Sequence, residues 1–189
     1  MMSARLIPHA DSHCAAAFSL LAHARAERPG VLCLQFTLSG ELSALRIAPA
    51  GAPARTDELW RHTCFEAFVR RAGEPGYLEF NFSPSGAWQS YRFSDYRQGA
   101  LPAELPASPH LTIGMRERAG AAQRDEALVL EALVALPAPY GDAPRGVQLA
   151  LSAVVEDEEG SLSYWALRHA AGRADFHHPD AFALMLQWS

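Results

Sequence analysis

The sequence predicts an all-β fold, an antiparallel β-sandwich of the immunoglobulin-like or jelly-roll type with a few short helical turns. Apolar and polar residues alternate in several short segments, as they do in strands with one buried face. These segments recur about every 8 to 12 residues, and 13 glycines and 13 prolines punctuate the chain. Short strands of this kind bury their apolar faces by stacking two sheets. The 189 residues are predicted to form one domain, residues 1–189, because one core can serve a chain of this length.

The first predicted element is a β-hairpin. Residues 31–38 alternate, Ser39-Gly40-Glu41 offers a turn, and residues 42–47 resume with apolar side chains at every second or third place. An earlier apolar run, residues 14–22, lacks a basic segment before it and is far shorter than the ~20 residues that span a bilayer. We therefore interpret that run as part of the fold, neither a leader nor a membrane anchor.

A meander of three antiparallel strands is predicted for the middle of the chain. Its first strand lies near Cys64 in LWRHTCFEAFVRR, residues 59–71. In YLEFNFS, residues 77–83, apolar and polar positions alternate strictly, which predicts that one face is buried in the core. The third strand, in residues 87–97, follows the turn Pro84-Ser85-Gly86 and places Tyr91 on the face opposite Arg92.

The C-terminal half supplies the remaining strands. Residues 111–115 alternate, and residues 127–136 are apolar enough for a strand buried on both faces, although a short helix fits the composition equally well. Residues 147–155 and 162–169 flank an acidic turn with a glycine and predict a hairpin. Residues 175–186 are predicted to form a loop that leads into a last strand or short helix.

Composition narrows the classes of partner. The 16 Lys and Arg against 21 Asp and Glu give a formal charge of −5, which offers no basic surface for phosphates, so no nucleic-acid partner is predicted. No membrane association is predicted either. Cys14, Cys33 and Cys64 cannot all pair with one another and show no CxxC spacing, which argues against a disulfide framework and a zinc site. These features favour a cytoplasmic location.

Glu66 is the first candidate for function. It shares a strand face with Cys64 and Phe68, so an acid stands among apolar residues. Burial of an unpaired carboxylate costs several kcal/mol, so Glu66 needs water, a cation or hydroxyl groups of a ligand. An internal ion pair with Arg92 or Arg116 and a contact to a ligand remain equally open.

Trp60 is the second candidate because it stands in a loop just before that strand. An indole ring presented there offers a flat apolar surface, and sugars combine an apolar C–H face with a rim of hydroxyls. Stacking against Trp60 with polar groups nearby would hold such a ligand, whereas a buried Trp60 would merely fill the core. Trp88 and Trp165 lie within predicted strands and are assigned to the core.

Metal and catalytic chemistry find little support in the sequence. The adjacent His177 and His178 point to opposite sides of an extended chain and make a poor chelate, so no metal site or cofactor is predicted. Glu66 and Glu79 could face each other as the acids of a glycosidase do, but two acids in one sheet are common. No nucleophile motif is present, and the chain is predicted not to be an enzyme.

The string LWRHTCFEAFV, residues 59–69, resembles the strand opening of family-nine carbohydrate-binding modules, in which a loop tryptophan precedes a Glu-x-Phe strand. The match covers Trp60, Glu66 and Phe68, and an aromatic-x-x-Pro segment at Phe176 to Pro179 is similar in order too. The strings LWRHTCFE, EFNFSPSG and DFHHPDAF resemble bacterial DOMON-like proteins even more closely. The resemblance extends over about two-thirds of the chain.

The resemblance implies a non-catalytic domain that binds a carbohydrate or similar polar small molecule by aromatic stacking. The family clamps a terminal sugar between two tryptophans and bonds it to the strand glutamate, which implies Trp60, Phe176 and Glu66 here. Phe176 thus stands where the family has its second tryptophan, and Asn81 stands where the family has an arginine in the strand. The full predicted ligand-binding set is Trp60, Glu66, Asn81, Arg92, Phe176 and His177.

Two alternatives come from other functional classes. Kinship with DOMON domains implies a haem-binding electron-transfer domain, for which Met115, Met185, His62 and His169 are the candidate ligands. The other alternative is an interaction domain whose partner chain covers Trp60, and a homo-oligomer also stays open.

Overall fold

The computed structural model describes residues 2–12, 17–118, 125–141 and 146–188, and its regular elements are almost all β-strands. Three short 3₁₀ turns, at Leu42–Ala44, Leu59–Arg61 and Pro179–Ala181, are the helical elements of this part of the chain. The twelve strands, in chain order, are β1 Met2–Pro8, β2 Phe18–Arg28, β3 Val31–Gly40, β4 Cys64–Arg71, β5 Tyr77–Phe82, β6 Trp88–Phe93, β7 Leu101–Pro102, β8 His110–Arg118, β9 Asp125–Ala135, β10 Val147–Glu156, β11 Leu162–Ala166 and β12 Leu184–Leu186.

The strands form one continuous antiparallel path in the order β7-β6-β5-β4-β10-β11-β1-β2-β3-β9-β8, with β12 paired to β10 beside this path. Strand β1 joins two halves, since it pairs with β2 on one side and at Ile7 and Pro8 with β11 on the other. The predicted antiparallel all-β fold is confirmed. The strands, however, form a single curled sheet where two separate sheets were predicted.

The main core lies between the two halves. The ring of Phe36 in β3 stacks on that of Phe65 in β4, with 5.2 Å between centroids, and both side chains are fully buried. Because side chains alternate along a strand, Phe65 brings Ala67 and Val69 to the same face, and both also belong to this core. The sheet therefore curls so that the apolar faces of both halves cover each other.

The opposite face of β4, β5 and β6 carries a second, smaller apolar cluster. Phe68, Tyr77 and Phe93 form its centre, and Phe176 and Phe182 from the C-terminal segment pack on them. This segment covers a sheet face that would otherwise meet solvent. The space in front of Glu66 is therefore bounded by the sheet on one side and by the C-terminal segment on the other.

The predicted hairpin of residues 31–38 with residues 42–47 is wrong. Strand β3 pairs with β2, the strand before it, and Leu42–Ala44 form a 3₁₀ turn. Leu42 and Leu45 are both buried, and a spacing of three residues suits a 3₁₀ turn better than a strand. The apolar run of residues 14–22 enters β2 from Phe18 onward, while Cys14 lies outside the described residues.

The other predicted strands are present. Residues 127–136 fall in β9, which pairs with β3 and β8, so the strand interpretation is confirmed over the helical one. The meander β4-β5-β6 and the hairpin β10-β11 are confirmed as well. Cys33 and Cys64 are free and buried. Within the described residues, no helix has the length and apolar character needed to cross a membrane.

Truncation of either ring at the centre of the core should lower stability sharply. We expect Phe36→Ala or Phe65→Ala to reduce the free energy of unfolding by about 3–5 kcal/mol, because the cavity left between the two halves cannot collapse fully. Met115→Ala is the control, since Met115 is 56% exposed on β8 and its loss should change stability by no more than about 0.5 kcal/mol. Urea unfolding followed by circular dichroism measures both values. Equal effects of core and control variants would contradict this account of the core.

Candidate functional site

A cavity of about 470 Å³ opens on the sheet face opposite the main core. Strict alternation along three adjacent strands places Glu66 of β4, Glu79 of β5 and Tyr91 of β6 on this face together. The cavity combines aromatic rings with charged groups. Its lining residues are Trp60, Arg61, Glu66, Glu79, Tyr91, Phe93, Arg97, Ala100, Val154, Leu162, Tyr164, Ala174, Phe176 and His177.

Two buried carboxylates form the floor of the cavity. Glu66 is 3% exposed and Glu79 is 5% exposed. Burial, and then the charge of Glu79, raise the pKa of Glu66 well above its usual range, although Arg97 acts to lower it. Burial likewise raises the pKa of Glu79 to about 7, against the lowering effects of a hydrogen bond from Asn81 and the charge of Arg97. Near neutral pH Glu79 therefore exists in both protonated and ionised forms, so it can both donate and accept hydrogen bonds.

Asn81 orients one of these acids from beneath the floor. Its Nδ2 donates to Oε1 of Glu79 at 2.7 Å, and its Oδ1 accepts a weak bond from Sγ of Cys64 at 3.8 Å. Asn81 is completely buried and does not line the cavity. Since its amide is occupied on both sides, Asn81 fixes the position of Glu79 and leaves the contact with any ligand to Glu79 itself.

His177 closes the floor as a neutral imidazole. The hydroxyl of Tyr77 accepts a hydrogen bond from the backbone N–H of Arg97 at 3.2 Å and lies 2.8 Å from Nδ1 of His177. The hydroxyl proton is thus free to go to Nδ1, which leaves the ring proton on Nε2, 3.7 Å from Oε2 of Glu79. Burial lowers the pKa of His177 to about 4, so this ring is uncharged at neutral pH.

Arg97 brings the one guanidinium that faces the floor from among the described residues. Its backbone lies in the left-handed region at a φ of 53°, which turns the chain after β6 back toward the cavity. Its Nη2 donates to Oδ1 of Asp175 at 2.7 Å, and the hydroxyl of Tyr96 donates to the other oxygen of the same carboxylate. Burial acts to raise the pKa of Asp175, but these hydrogen bonds hold it below its usual value. Asp175 therefore ties the C-terminal segment to the cavity.

Trp60 forms an outer wall of the cavity. It lies in the 3₁₀ turn Leu59–Arg61 and is 39% exposed, so it does not fill the core. Its ring meets that of Tyr91 edge to face, with centroids 5.9 Å apart. Tyr91 is held in turn by Asp57, whose Oδ1 accepts bonds from the Tyr91 hydroxyl at 2.8 Å and from Nε2 of Gln89 at 2.6 Å. These hydrogen bonds order the wall around Trp60.

Phe176 forms part of the wall contributed by the C-terminal segment. It is 9% exposed and packs against Tyr164 of β11, with 6.1 Å between centroids. Both rings line the cavity. Trp60 and Phe176, 116 positions apart in the sequence, therefore border the same space, with Glu66 at its floor.

The structure brings four of the six predicted ligand-binding residues to the cavity: Trp60, Glu66, Phe176 and His177. Asn81 lies just below the floor. Arg92 does not reach the cavity and needs correction, because it pairs with Leu78, whose side chain belongs to the main core, and so points to the opposite face. The expected ion pair of Glu66 with Arg92 or Arg116 is likewise not formed, since Arg116 lies on β8 in the other half of the sheet.

Sequence reasoning missed several residues of the site. Tyr91 was placed on the correct face without being given a role, and Glu79 was named only as a partner of Glu66. Arg97 and Tyr164 were not singled out. For Arg97 the only signal was its place just after an alternating strand, since its orientation depends on a left-handed backbone conformation.

The candidate haem ligands are scattered. Met115 on β8 and Met185 on β12 are both exposed, whereas Nδ1 of His62 lies 2.7 Å from Glu156 and Nε2 of His169 lies 2.9 Å from the carbonyl of Ile7. In the part of the chain that the structure describes, no three His, Cys, Asp or Glu side chains gather closely enough to hold a metal ion. Glu156, the last residue of β10, pairs with Arg46 at 2.7 Å.

No protein-family model and no curated protein matches the chain. Among solved structures, the fold is similar to that of a proposed carbohydrate-binding protein from Bacteroides uniformis, with a TM-score of 0.59 and 15% identity over 98% of this chain and 86% of that one. At this identity the likeness shows the fold alone.

Two further similarities involve a family-nine carbohydrate-binding module from Caldicellulosiruptor kristjanssonii. The complex with glucose gives a TM-score of 0.48 and 11% identity over 95% of this chain and 81% of that one. The complex with cellotriose gives 0.47 and 12% over 98% and 83%. The DOMON-like part of the resemblance stays a prediction.

The opposite pKa shifts of Glu79 and His177 predict opposite changes in the pH dependence of stability. Between about pH 4.5 and 7 folded Glu79 keeps a proton that the unfolded chain has lost, so this residue lowers stability as pH rises. Between about pH 4 and 6.5 folded His177 lacks a proton that the unfolded chain holds, so this residue raises stability as pH rises. Each effect is at most about 1.4 kcal/mol per pH unit.

Relative to the unmodified protein, Glu79→Gln should therefore gain stability as pH rises through this window, and His177→Gln should lose it. Urea unfolding at intervals from pH 4 to pH 7.5 measures both differences. Parallel curves for the two variants and the unmodified protein would show that neither residue has a shifted pKa in the folded state.

Proposed function

We propose that the chain is a non-catalytic binding domain for carbohydrate or a similar polar small molecule, held by aromatic stacking in the cavity described above. One observation carries this proposal: Trp60 and Phe176 border one cavity with Glu66 buried at its floor. The similarity of fold to a proposed carbohydrate-binding protein supports it. The sequence supports it independently, because Trp60, Glu66 and Phe176 follow one another in the same order as the stacking and bonding residues of the family-nine modules that the chain resembles.

The wall of the cavity suits the apolar face of a sugar ring. Trp60 is exposed over more than a third of its surface, and its ring is held edge to face against Tyr91. A flat ring held in this way can cover the axial C–H groups of a pyranose. Phe176 keeps a stacking surface on the other wall but contributes no N–H donor.

The floor of the cavity suits the hydroxyl groups of the sugar. Glu66 and Glu79 provide acceptors, and while either acid retains its proton that acid also provides a donor. Arg97 and Nε2–H of His177 add further donors at the edge of the same floor. Hydroxyl groups both donate and accept, so a polyol can satisfy this mixture where a purely apolar ligand cannot.

The affinity of such a site is modest. A small cavity with one accessible stacking ring supports a binding free energy of about −4 to −8 kcal/mol, which corresponds to dissociation constants from about millimolar to micromolar. Concentrations in that range have to be covered in any search for the ligand.

Calorimetric titration with a panel of mono- and oligosaccharides tests the proposal. We expect at least one sugar to bind, and Trp60→Ala and Glu66→Gln to weaken its binding about tenfold or more. The first change removes the stacking surface, and the second replaces one buried carboxyl oxygen with an N–H donor. Leu21→Ala is the control, since Leu21 has an exposure of 40%, close to that of Trp60, but lies on β2 in the other half of the sheet.

Two outcomes would contradict the proposal. The absence of binding for every sugar, or binding unchanged in both cavity variants, would remove the carbohydrate assignment. Release of reducing ends from an oligosaccharide during incubation, abolished in Glu66→Gln, would overturn the non-catalytic part of it.

A further inference from the structure

The cavity floor holds more carboxyl groups than cationic groups. Glu66 and Glu79 are buried diagonal neighbours on adjacent strands, and Arg97 is the guanidinium that lies within range of both. Arg97 is already bonded to Asp175 at 2.7 Å. Among the described residues, three carboxylates therefore share one cation, and His177 adds no charge at neutral pH because burial holds its pKa near 4.

The rim does not correct this imbalance. Arg61 lines the cavity, but its Nη2 is bonded to Glu58 at 2.9 Å, so the pair contributes no net charge. Asp57 stands behind Tyr91 as a further acid. With a neutral occupant of the cavity, the two floor acids relieve their mutual repulsion only by retaining protons, in keeping with their raised pKa values.

The hydrogen bonds at the floor are also incomplete. Oε1 of Glu79 accepts from Asn81, but the nearest ring proton of His177 lies on a nitrogen 3.7 Å from Oε2, beyond hydrogen-bonding distance. Carboxylate oxygens turned toward an open cavity require donors from whatever occupies it.

We propose that this cavity selects sugars that carry a protonated amine, and that the ammonium group sits between Glu66 and Glu79. This inference rests on the proposed carbohydrate-binding function. An ammonium group brings three donors and a compact positive charge, which match two buried acceptors of like charge. A metal ion fits less well, since no third ligand joins the two acids among the described residues.

The titration of the floor follows from this arrangement. A cation between Glu66 and Glu79 favours their ionised forms, so its binding lowers both pKa values and releases protons near pH 7. Arg97, with its partner Asp175, and His177, which is neutral in this range, also face the acids. The remaining titratable groups beside them are Cys64, Tyr77 and Tyr91, whose raised pKa values keep them protonated near pH 7. A neutral sugar lacks the charge that drives this release.

Calorimetry with glucosamine, glucose and N-acetylglucosamine at pH 7 tests the inference. The third sugar is the matched ligand control, because acetylation removes the charge of the amine and keeps the ring. We expect glucosamine to bind about tenfold to a hundredfold more tightly than the other two, as charge-assisted hydrogen bonds in a buried site do. We also expect its binding heat to differ between phosphate and MOPS buffers, neither of which carries a primary amine, because the released proton is taken up by the buffer.

Variants of the two floor acids test whether these acids cause the preference for glucosamine. Glu79→Gln keeps the shape of the side chain and should reduce the preference for glucosamine to less than about threefold, since one of the two charges is lost. Glu66→Gln should have the same effect on the ratio and serves if Glu79→Gln does not fold. Glu126→Gln, an exposed change on β9, carries the same loss of charge outside the cavity and should keep the full preference.

The outcomes separate this inference from the function on which it rests. If glucose and N-acetylglucosamine bind as tightly as glucosamine, the inferred amine selectivity is wrong and the carbohydrate-binding proposal stands. A preference that survives in both Glu79→Gln and Glu66→Gln would also overturn the inference. If none of these sugars nor any other sugar of the panel binds, both proposals fail together.

Discussion

The strict alternation of side chains along β4, β5 and β6 is the constraint on which the site depends. Phe65, Phe80 and their neighbours turn to the main core, so the residues between them must turn to the opposite face. Two of those residues are acids, Glu66 and Glu79. The same apolar packing that holds the sheet together therefore holds two carboxylates side by side on its other face, where burial keeps their pKa values high.

The C-terminal segment converts this sheet face into a cavity. Phe176 and Phe182 cover the second apolar cluster, and Asp175 accepts hydrogen bonds from Arg97 and Tyr96 in the loop after β6. Without this cover the two carboxylates would meet bulk water and their pKa values would return toward the usual range. The aromatic walls and the unusual protonation of the floor thus have one common cause, the docking of the chain end on the sheet.

The sequence allowed the faces of β4, β5 and β6 to be assigned correctly because large apolar residues mark every second position. Strand β2 escaped detection since its core positions after Leu20 are Ala22 and Ala24, too small to stand out between polar neighbours. Arg92 was assigned to the ligand although the alternation already placed it opposite Tyr91. Arg97 could not be foreseen, because a loop residue with a positive φ obeys no strand periodicity. Trp60 and Phe176 are far apart in the sequence, and only the family resemblance predicted that both would line one cavity.

The strand order also determines when the floor can be completed during synthesis. Strand β4 pairs on one edge with β5, which follows it directly, but its other partner is β10, which begins at Val147. Strand β1, at the very start of the chain, likewise waits for β11. Most of the chain must therefore leave the ribosome before β10 can pair with β4 and β11 can pair with β1. Pairing between strands so far apart in the sequence gives the fold a high contact order, which favours slow folding. Until then the nascent chain exposes an unpaired strand edge of the kind that chaperones shield from aggregation.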